Sequence, residues 1–350
     1  MSKIKYLHIG GATIFFKPLL TMIEENLNRE EHLFVLYESI ASDVLKKEKN
    51  VIVFNPKSTT SAYYYALIFW WLLISKKTFL HGLFDPKLLL LLTITPFWEK
   101  KVYWIAWGAD LYDKFYDNGK WKTGIIRKLR ARIIKRVRHI VTYLQGDYDR
   151  AIHWFDSKAE YHECLIYPSN LYKEAKQQRE NNESLNIMIG NSADPLNGHL
   201  DIFEKIAKNL PKEYKIFSPL SYGNQEYKKN VIAKGEELFG GNFIPIEKLM
   251  DATEYTEFLN TMDAVIFNHP IQQAMGNTIT ALGLGKKVFL NKGTSQWDLF
   301  KSLDVNLYQI DDFKNFATDK SFHLTDEHNK LKIKNYFSES NLLRQINSIF

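Results

Sequence analysis

What most restricts this chain is a rhythm. Short β-branched runs alternate with longer amphipathic stretches along nearly its whole length. Parallel strands must be joined by crossovers of a dozen or more residues, so this alternation folds as parallel sheet covered by helices. In the first half the expected strands are 4–9, 33–37, 51–54, 78–80, 102–105 and 139–142, with helices at 18–28, 61–74, 86–92 and 121–137. A second series has strands at 185–189, 214–217, 242–245, 264–267 and 287–290, separated by helices at 198–209, 225–239, 253–260, 277–284 and 296–303. Between the two series, KEAKQQRENNES at 173–184 has no apolar periodicity and reads as a linker.

The expected organisation is therefore α/β, with two Rossmann-like domains. Residues 1–172 form the first, 173–184 the linker, 185–330 the second, and 331–350 a closing helix. Two open α/β units in tandem are expected to face a central cleft formed by the carboxyl ends of their sheets. A chain that is 45% hydrophobic and 25% charged is globular, which excludes disordered and fibrous classes. One cysteine, Cys164, excludes an internal disulfide and fits a reducing compartment. The opening run MSKIKYLHIGG reads as a first strand rather than a secretory leader.

Charge is unevenly shared. Residues 1–180 hold 28 Lys and Arg against 19 Asp and Glu, a net +9, while 181–350 hold 18 against 21, a net −3. Only the first half is suited to an anionic partner. Its basic residues concentrate in one expected helix, at Arg127, Lys128, Arg130, Arg132, Lys135, Arg136 and Arg138, with no acid among them. Ile125, Leu129, Ile133 and Val137 recur every four positions and are expected to form the packed stripe. Such a helix is either a solvated surface element or a docking face for anionic phospholipid or a pyrophosphate-bearing lipid. Nucleic acid is not an expected partner, because no nucleic-acid fold signature accompanies the charge.

The apolar stretch YYYALIFWWLLI at 63–74 is far shorter than the roughly 20 residues of a spanning helix. No transmembrane segment is expected. The plainer reading is a helix buried in a large core; the other is partial insertion of an aromatic helix into a membrane interface.

Three polar clusters fall where strands should end. HGLFDP places His81 and Asp85 at a carboxyl edge, and WGADLY places Trp107, Asp110 and Tyr112 at the next one. Each aspartate reads either as a general base or as a cap or turn residue. In the second half, Gly190-Asn191-Ser192 ends a strand and QQAMGNT (272–278) opens a helix rich in small residues. Backbone amides in such turns suit phosphate oxygens, although neither string matches a dinucleotide or Walker fingerprint. No tight His, Cys and Asp grouping suggests a metal cage, and no organic cofactor is expected.

The strings HGLFDP, WGADLY, GNSADPLNGH, QQAMGNT and VFLNKGTSQWD, in that order across roughly 79–300, closely resemble those of the TDP-N-acetylfucosamine:lipid II N-acetylfucosaminyltransferases, the 4-α-L-fucosyltransferase family (glycosyltransferase family 56). The first 75 residues match poorly. The resemblance implies the GT-B fold, with two Rossmann-like domains around a central cleft. It also implies transfer of an N-acetylfucosamine-like sugar from a dTDP donor, or a UDP donor, to a polyprenyl-pyrophosphate-linked saccharide. The setting would be enterobacterial common antigen or O-antigen synthesis at the cytoplasmic face of the inner membrane, with the protein peripheral.

On that resemblance, Gly190, Asn191, Ser192, His199, Gln272, Gln273, Gly276, Asn277, Thr278 and Asn291 would hold the donor, and Trp107 and Tyr112 the acceptor. The basic residues of 127–138 would bind the membrane. Asp110 is the first candidate base, followed by His81 and Asp85, with Glu247 more remote; metal-independent transfer is expected. Retaining enzymes of this fold often carry two glutamates eight positions apart, and Gln272 and Thr280 stand at those places here. Whether the anomeric centre inverts stays open. The competing expectations are a sugar-nucleotide epimerase or hydrolase of the same fold, and a non-catalytic membrane-associated sugar-binding protein.

Overall fold

A computed structural model describes residues 4–116, 121–175, 184–318 and 323–350. The chain divides into two compact units, Met1–Ser169 with Glu339–Phe350, and Asn170–Ser338. Residues 176–183 of the expected linker lie outside the described residues.

In the first unit, strands β1 (Tyr6–Gly11), β2 (His32–Tyr37), β3 (Val51–Phe54), β4 (Lys77–His81), β5 (Val102–Ile105), β6 (His139–Val141) and β7 (Glu160–His162) alternate with helices α1 (Phe16–Asn26), α2 (Ser42–Leu45), α3 (Ser61–Ile74), α4 (Pro86–Ile94), α5 (Trp121–Arg136) and α6 (Gln145–Phe155). The strands pair in parallel in the order β3-β2-β1-β4-β5-β6-β7. Strand order thus reverses between β1 and β4, where an open α/β sheet splits its loops apart and leaves a crevice. β1, β2 and β5 are almost wholly buried, which explains why they read as unbroken apolar runs.

In the second unit, β8 (Leu185–Ile189), β9 (Tyr214–Pro219), β10 (Phe243–Ile246), β11 (Ala264–Phe267) and β12 (Lys287–Leu290) form a parallel sheet in the order β10-β9-β8-β11-β12. Its helices are α7 (His199–Ile206), α8 (Gln225–Phe239), α9 (Ala252–Asn260), α10 (Met275–Gly283), α11 (Ser295–Ser302), α12 (Phe313–Thr318) and α13 (Glu327–Tyr336). The reversal lies between β8 and β11. A core of Ile187, Ile189, Ile202, Phe203, Ile216, Val231, Ile266 and Phe289 sits between sheet and helices. Local chemistry sets the helix starts: Asp251 and Glu254 form a reciprocal capping box at α9, and Asn224 accepts from the Tyr227 amide at α8.

Residues 331–350 are not one closing helix. They divide between α13 and a last helix, α14 (Glu339–Ile349), which belongs to the first unit. There the Leu165 amide donates to Gln345 Oε1 at 3.0 Å, and the Tyr6 hydroxyl donates to the Phe350 carbonyl at 2.7 Å. The Phe350 ring packs at 4.7 Å on Phe79 and 4.9 Å on His32.

Two further expectations are corrected. The apolar helix α3 is not core: only Ser61, Ile68 and Leu72 are buried, while Trp70, at 58%, and Tyr63, Leu73 and Ile74 are exposed. Neighbouring α4 adds exposed Leu90 and Ile94, and Phe97 follows at 88%. Among the described residues, no helix is long and apolar enough to cross a membrane. In α5 and the residue after it the packed face is Arg130, Ile133, Ile134 and Val137; of the expected stripe Ile133 and Val137 are buried, Leu129 is half-buried and Ile125 is exposed.

Candidate active site

In the first unit, the carboxyl edge gathers the loops after β1, β4 and β5. Asp110 is fully buried. Its Oδ2 accepts from the Leu83 amide at 3.0 Å and from Trp104 Nε1 at 2.7 Å, and its Oδ1 accepts from the Trp107 amide at 3.0 Å. Burial pushes its carboxyl above the usual range, against the pull of those donors. With both oxygens engaged and no exposure, Asp110 braces two loops in this structure.

His81 is held in a comparable way. It is buried, and burial lowers its pKa to about 3. Its Nδ1 lies 2.6 Å from the Tyr167 hydroxyl, which also accepts from Trp107 Nε1 at 3.0 Å. Its Nε2 lies 3.0 Å from His8 Nδ1, and His8 Nε2 lies 3.0 Å from His32 Nδ1. One set of neutral tautomers satisfies this row: Tyr167 donates to His81, His81 to His8, and His8 to His32. Asp85 caps α4, accepting from the Lys87 amide at 2.9 Å, and its other oxygen accepts from the Tyr65 hydroxyl. It is 8% exposed, against 0% for Asp110 and 1% for His81, and only one of its two oxygens is bound by backbone.

Of the two aromatic expectations, Trp107 is half-buried among Phe15, Phe84 and Tyr167. Tyr112 is core: it is buried, and its hydroxyl donates to Asp147 Oδ1 at 2.7 Å, so it cannot line an acceptor site. Tyr167, Tyr65 and the turn at Gly10-Gly11 belong to this edge without a sequence signal of their own. A Cβ at Gly10 would lie 2.8 Å from His81 Cβ, so glycine permits β1 and β4 to end side by side.

The basic residues of α5 separate by role. Arg130 is buried, donating to the Leu83 carbonyl at 2.8 Å and to Asp113, and Arg136 donates to Glu99 and to the carbonyls of Leu92, Thr93 and Thr95. These two hold the loops and α4 in place and leave the membrane-binding set. Arg127 is half-buried near Asp113. Lys128, Arg132, Lys135 and Arg138 are exposed, with Lys135 2.7 Å from Asp156.

In the second unit, the β8–β11 crevice brings together residues nearly 80 positions apart. The loop after β8 is organised by Asn197, which is wholly buried. Its Oδ1 accepts from the Asn191 amide and from His269 Nε2, both at 2.9 Å, and its amide donates to the carbonyls of Ser192 and Asp194. Gln273 Nε2 donates to Asp194 Oδ2 at 3.0 Å, tying the loop after β11 to the loop after β8. Gly190 has φ +71° and faces His199: a Cβ there would lie 2.3 Å from His199 Nε2.

Burial lowers His199 to about 3 and His269 to about 4, so both are neutral imidazoles near pH 7. His199 is closed off inside this frame, and its expected donor contact is corrected to a supporting one. Thr278 is also buried, with its hydroxyl on the Ala274 carbonyl at 3.1 Å, so its side chain is spent within the helix. By contrast Gly276, in the first turn of α10, is exposed with nothing within 4 Å of an added Cβ. Gln272, Asn277 and Asn291 are half-exposed around it, and Thr280 bonds its own helix at Gly276. The sequence motifs gave no role to Asn197 or His269, whose partners appear only in the fold.

Amides at an open helix start are suited to a diphosphate. Comparison with known proteins agrees in kind. The family model described as 4-alpha-L-fucosyltransferase, glycosyl transferase group 56, matches residues 31–342. Among solved structures, Anabaena HepE in complex with UDP and glucose is similar with a TM-score of 0.71 at 12% identity, covering 99% of both chains. WaaG, a glycosyltransferase involved in lipopolysaccharide biosynthesis, gives 0.62 at 11% identity over 98% of both. A UDP-forming trehalose-phosphate synthase from Burkholderia vietnamiensis gives 0.63 at 7% identity over 99% of both. These likenesses show the GT-B fold.

Proposed function

The chain belongs to the 4-alpha-L-fucosyltransferase family of glycosyl transferase group 56, and from that premise we propose that it moves an N-acetylfucosamine-like amino- or deoxy-sugar from a dTDP-sugar to a polyprenyl-pyrophosphate-linked saccharide. The product belongs to bacterial surface polysaccharide synthesis, of enterobacterial common antigen or O-antigen type. The observation that carries the donor half is the β8–β11 crevice, where the Asn197 frame meets the open first turn of α10. HepE binds UDP and glucose on the same fold, which supports a nucleoside diphosphate there.

In the reaction, the acceptor hydroxyl oxygen forms a bond to the anomeric carbon as the bond from that carbon to the donor diphosphate breaks. The departing pair of electrons leaves as charge on the diphosphate, which the amides of Gly276 and Asn277 stabilise at the helix start. No metal is needed for that charge. The hydroxyl proton goes to Asp85, whose carboxylate is polarised by Tyr65. Asp110 and His81 are positioning residues that hold the loops around it. Trp107 offers an aromatic face to the acceptor saccharide.

On the acceptor side, the exposed apolar face of α3 and α4 and the exposed basic residues Lys128, Arg132, Lys135 and Arg138 support peripheral attachment at the cytoplasmic face of the inner membrane. The test is incubation with dTDP- and UDP-sugars and polyprenyl-pyrophosphate saccharides, with products read by mass spectrometry. One added deoxy-aminosugar on the lipid is expected. Free sugar released without the lipid indicates a hydrolase instead, and absence of calorimetric heat with any thymidine or uridine diphosphate compound refutes the donor assignment.

A further inference from the structure

Away from the carboxyl edges, the fold assembles a group that the sequence spacing conceals. His139 opens β6, and Glu160 and His162 lie two apart on the edge strand β7, so both point to one face. His139 pairs with Glu160 in the strand register, which brings all three side chains to that face. Nδ1 of His139 is 3.0 Å from Nε2 of His162, and Glu160 Oε2 is 3.5 Å from the first and 3.9 Å from the second. A triangle with sides of 3.0, 3.5 and 3.9 Å has a circumradius of about 2.0 Å, the bond length from zinc to imidazole nitrogen or carboxylate oxygen.

The surroundings prepare the imidazoles as ligands. His139 Nε2 faces the Lys100 carbonyl at 3.3 Å, so that nitrogen carries the proton and Nδ1 turns its lone pair to the centre. The Tyr103 ring stacks on His139 at 4.2 Å and 8°, fixing its plane. The Lys77 ammonium acts against a cation here, but it is held on the Ile349 carbonyl beside the Tyr103 ring. Among the described residues this is the grouping with metal-ligand geometry.

We propose that His139, Glu160 and His162 bind one zinc ion, with water as fourth ligand, clamping the three-residue edge strand β7 to β6. The donor set of two imidazoles and one carboxylate selects zinc over magnesium or calcium. His139 and Glu160 open their strands and His162 ends β7, whereas the active-site loops follow β1, β4 and β5, so the zinc serves the unit's stability rather than transfer.

The experiment is zinc titration of the full metal-free chain by calorimetry, with Glu160→Gln and His162→Gln alongside. The Glu160 side chain is 69% exposed, so its amide variant keeps the fold. One zinc per chain is expected, weakened at least tenfold in each variant, with magnesium silent. Zinc at about a hundredfold excess over its wild-type Kd should raise the thermal midpoint of the wild-type chain by about 5 °C and that of each variant by clearly less at the same concentration. No stoichiometric binding by folded wild type overturns the site; equal affinity in wild type and both variants means an adventitious ion only, bound elsewhere.

Discussion

Replacing Asp110 by asparagine separates a brace from a base. The amide keeps the carboxylate's shape, and its oxygen at the Oδ2 position still accepts from Leu83 and Trp104. Its NH2 then meets the Trp107 amide, donor against donor, and one buried N–H goes unmet. That costs about 1–3 kcal/mol. Part is offset, because the folded unit no longer holds a carboxyl whose pKa burial has raised. A net loss of about 1–2 kcal/mol corresponds to a midpoint lower by roughly 2–8 °C for a unit of this size. Asp110→Ala orphans all three donors and should lose more than about 3 kcal/mol. Seven of the eight tryptophans lie in the first unit, so fluorescence during urea titration follows that unit. Transfer by the folded Asp110→Asn protein should remain within tenfold of wild type. An unchanged urea midpoint with a hundredfold fall in kcat would refute this reasoning and return Asp110 to the role of base.

Asp85→Asn makes the complementary test: asparagine caps a helix as well as aspartate does, so the midpoint should hold within about 1 °C while kcat falls about 10²–10⁴-fold. Full turnover would send the search for the base elsewhere. Gly190→Ala places a methyl against His199 at a positive φ, and should cost about 2 kcal/mol or more and weaken dTDP and UDP binding at least tenfold by calorimetry. Wild-type binding and stability in that variant would contradict the frame. Acid should act through the buried histidines. His8, His32, His81, His199 and His269 have folded pKa values below the ordinary 6.5, with His32 and His269 at about 4 and His81 and His199 at about 3. Their contribution is present above pH 6.5 and is lost as pH falls toward 4, by up to about 1.4 kcal/mol per pH unit for each. Urea midpoints should therefore drop between pH 7 and 5, and a flat profile would mean these imidazoles are not buried neutral.

Much of this fold is legible because strands buried on both faces must be apolar throughout. β5, β8 and β11, buried throughout, begin and end where their apolar runs do. β7 is not legible, since Glu160, Tyr161 and His162 show no apolar alternation and pair along one side only. The packed face of α5 is legible at Ile133 and Val137 but not at Arg130, which is buried by virtue of Asp113 and the Leu83 carbonyl, partners remote in sequence. The same holds at the sites. The turns at Gly190 and Gly276 announce themselves through glycine beside small polar residues. Asp110 has the same local signature as a catalytic carboxylate, and only its three donors, contributed by β5 and two loops, reveal that its oxygens are occupied.

The return of α14 to the first unit also bears on how the protein comes into being. Phe350 seals the end of the ring stack that includes His32 and Phe79, and Gln345 closes the loop at Leu165. A ribosome must therefore deliver and let fold the whole middle of the chain before the beginning can be finished. During that wait, the rings of Tyr6, His32 and Phe79 lack their Phe350 neighbour, while the second unit is continuous and free to mature first. Nascent chains stalled before residue 339 should expose those rings to chaperones.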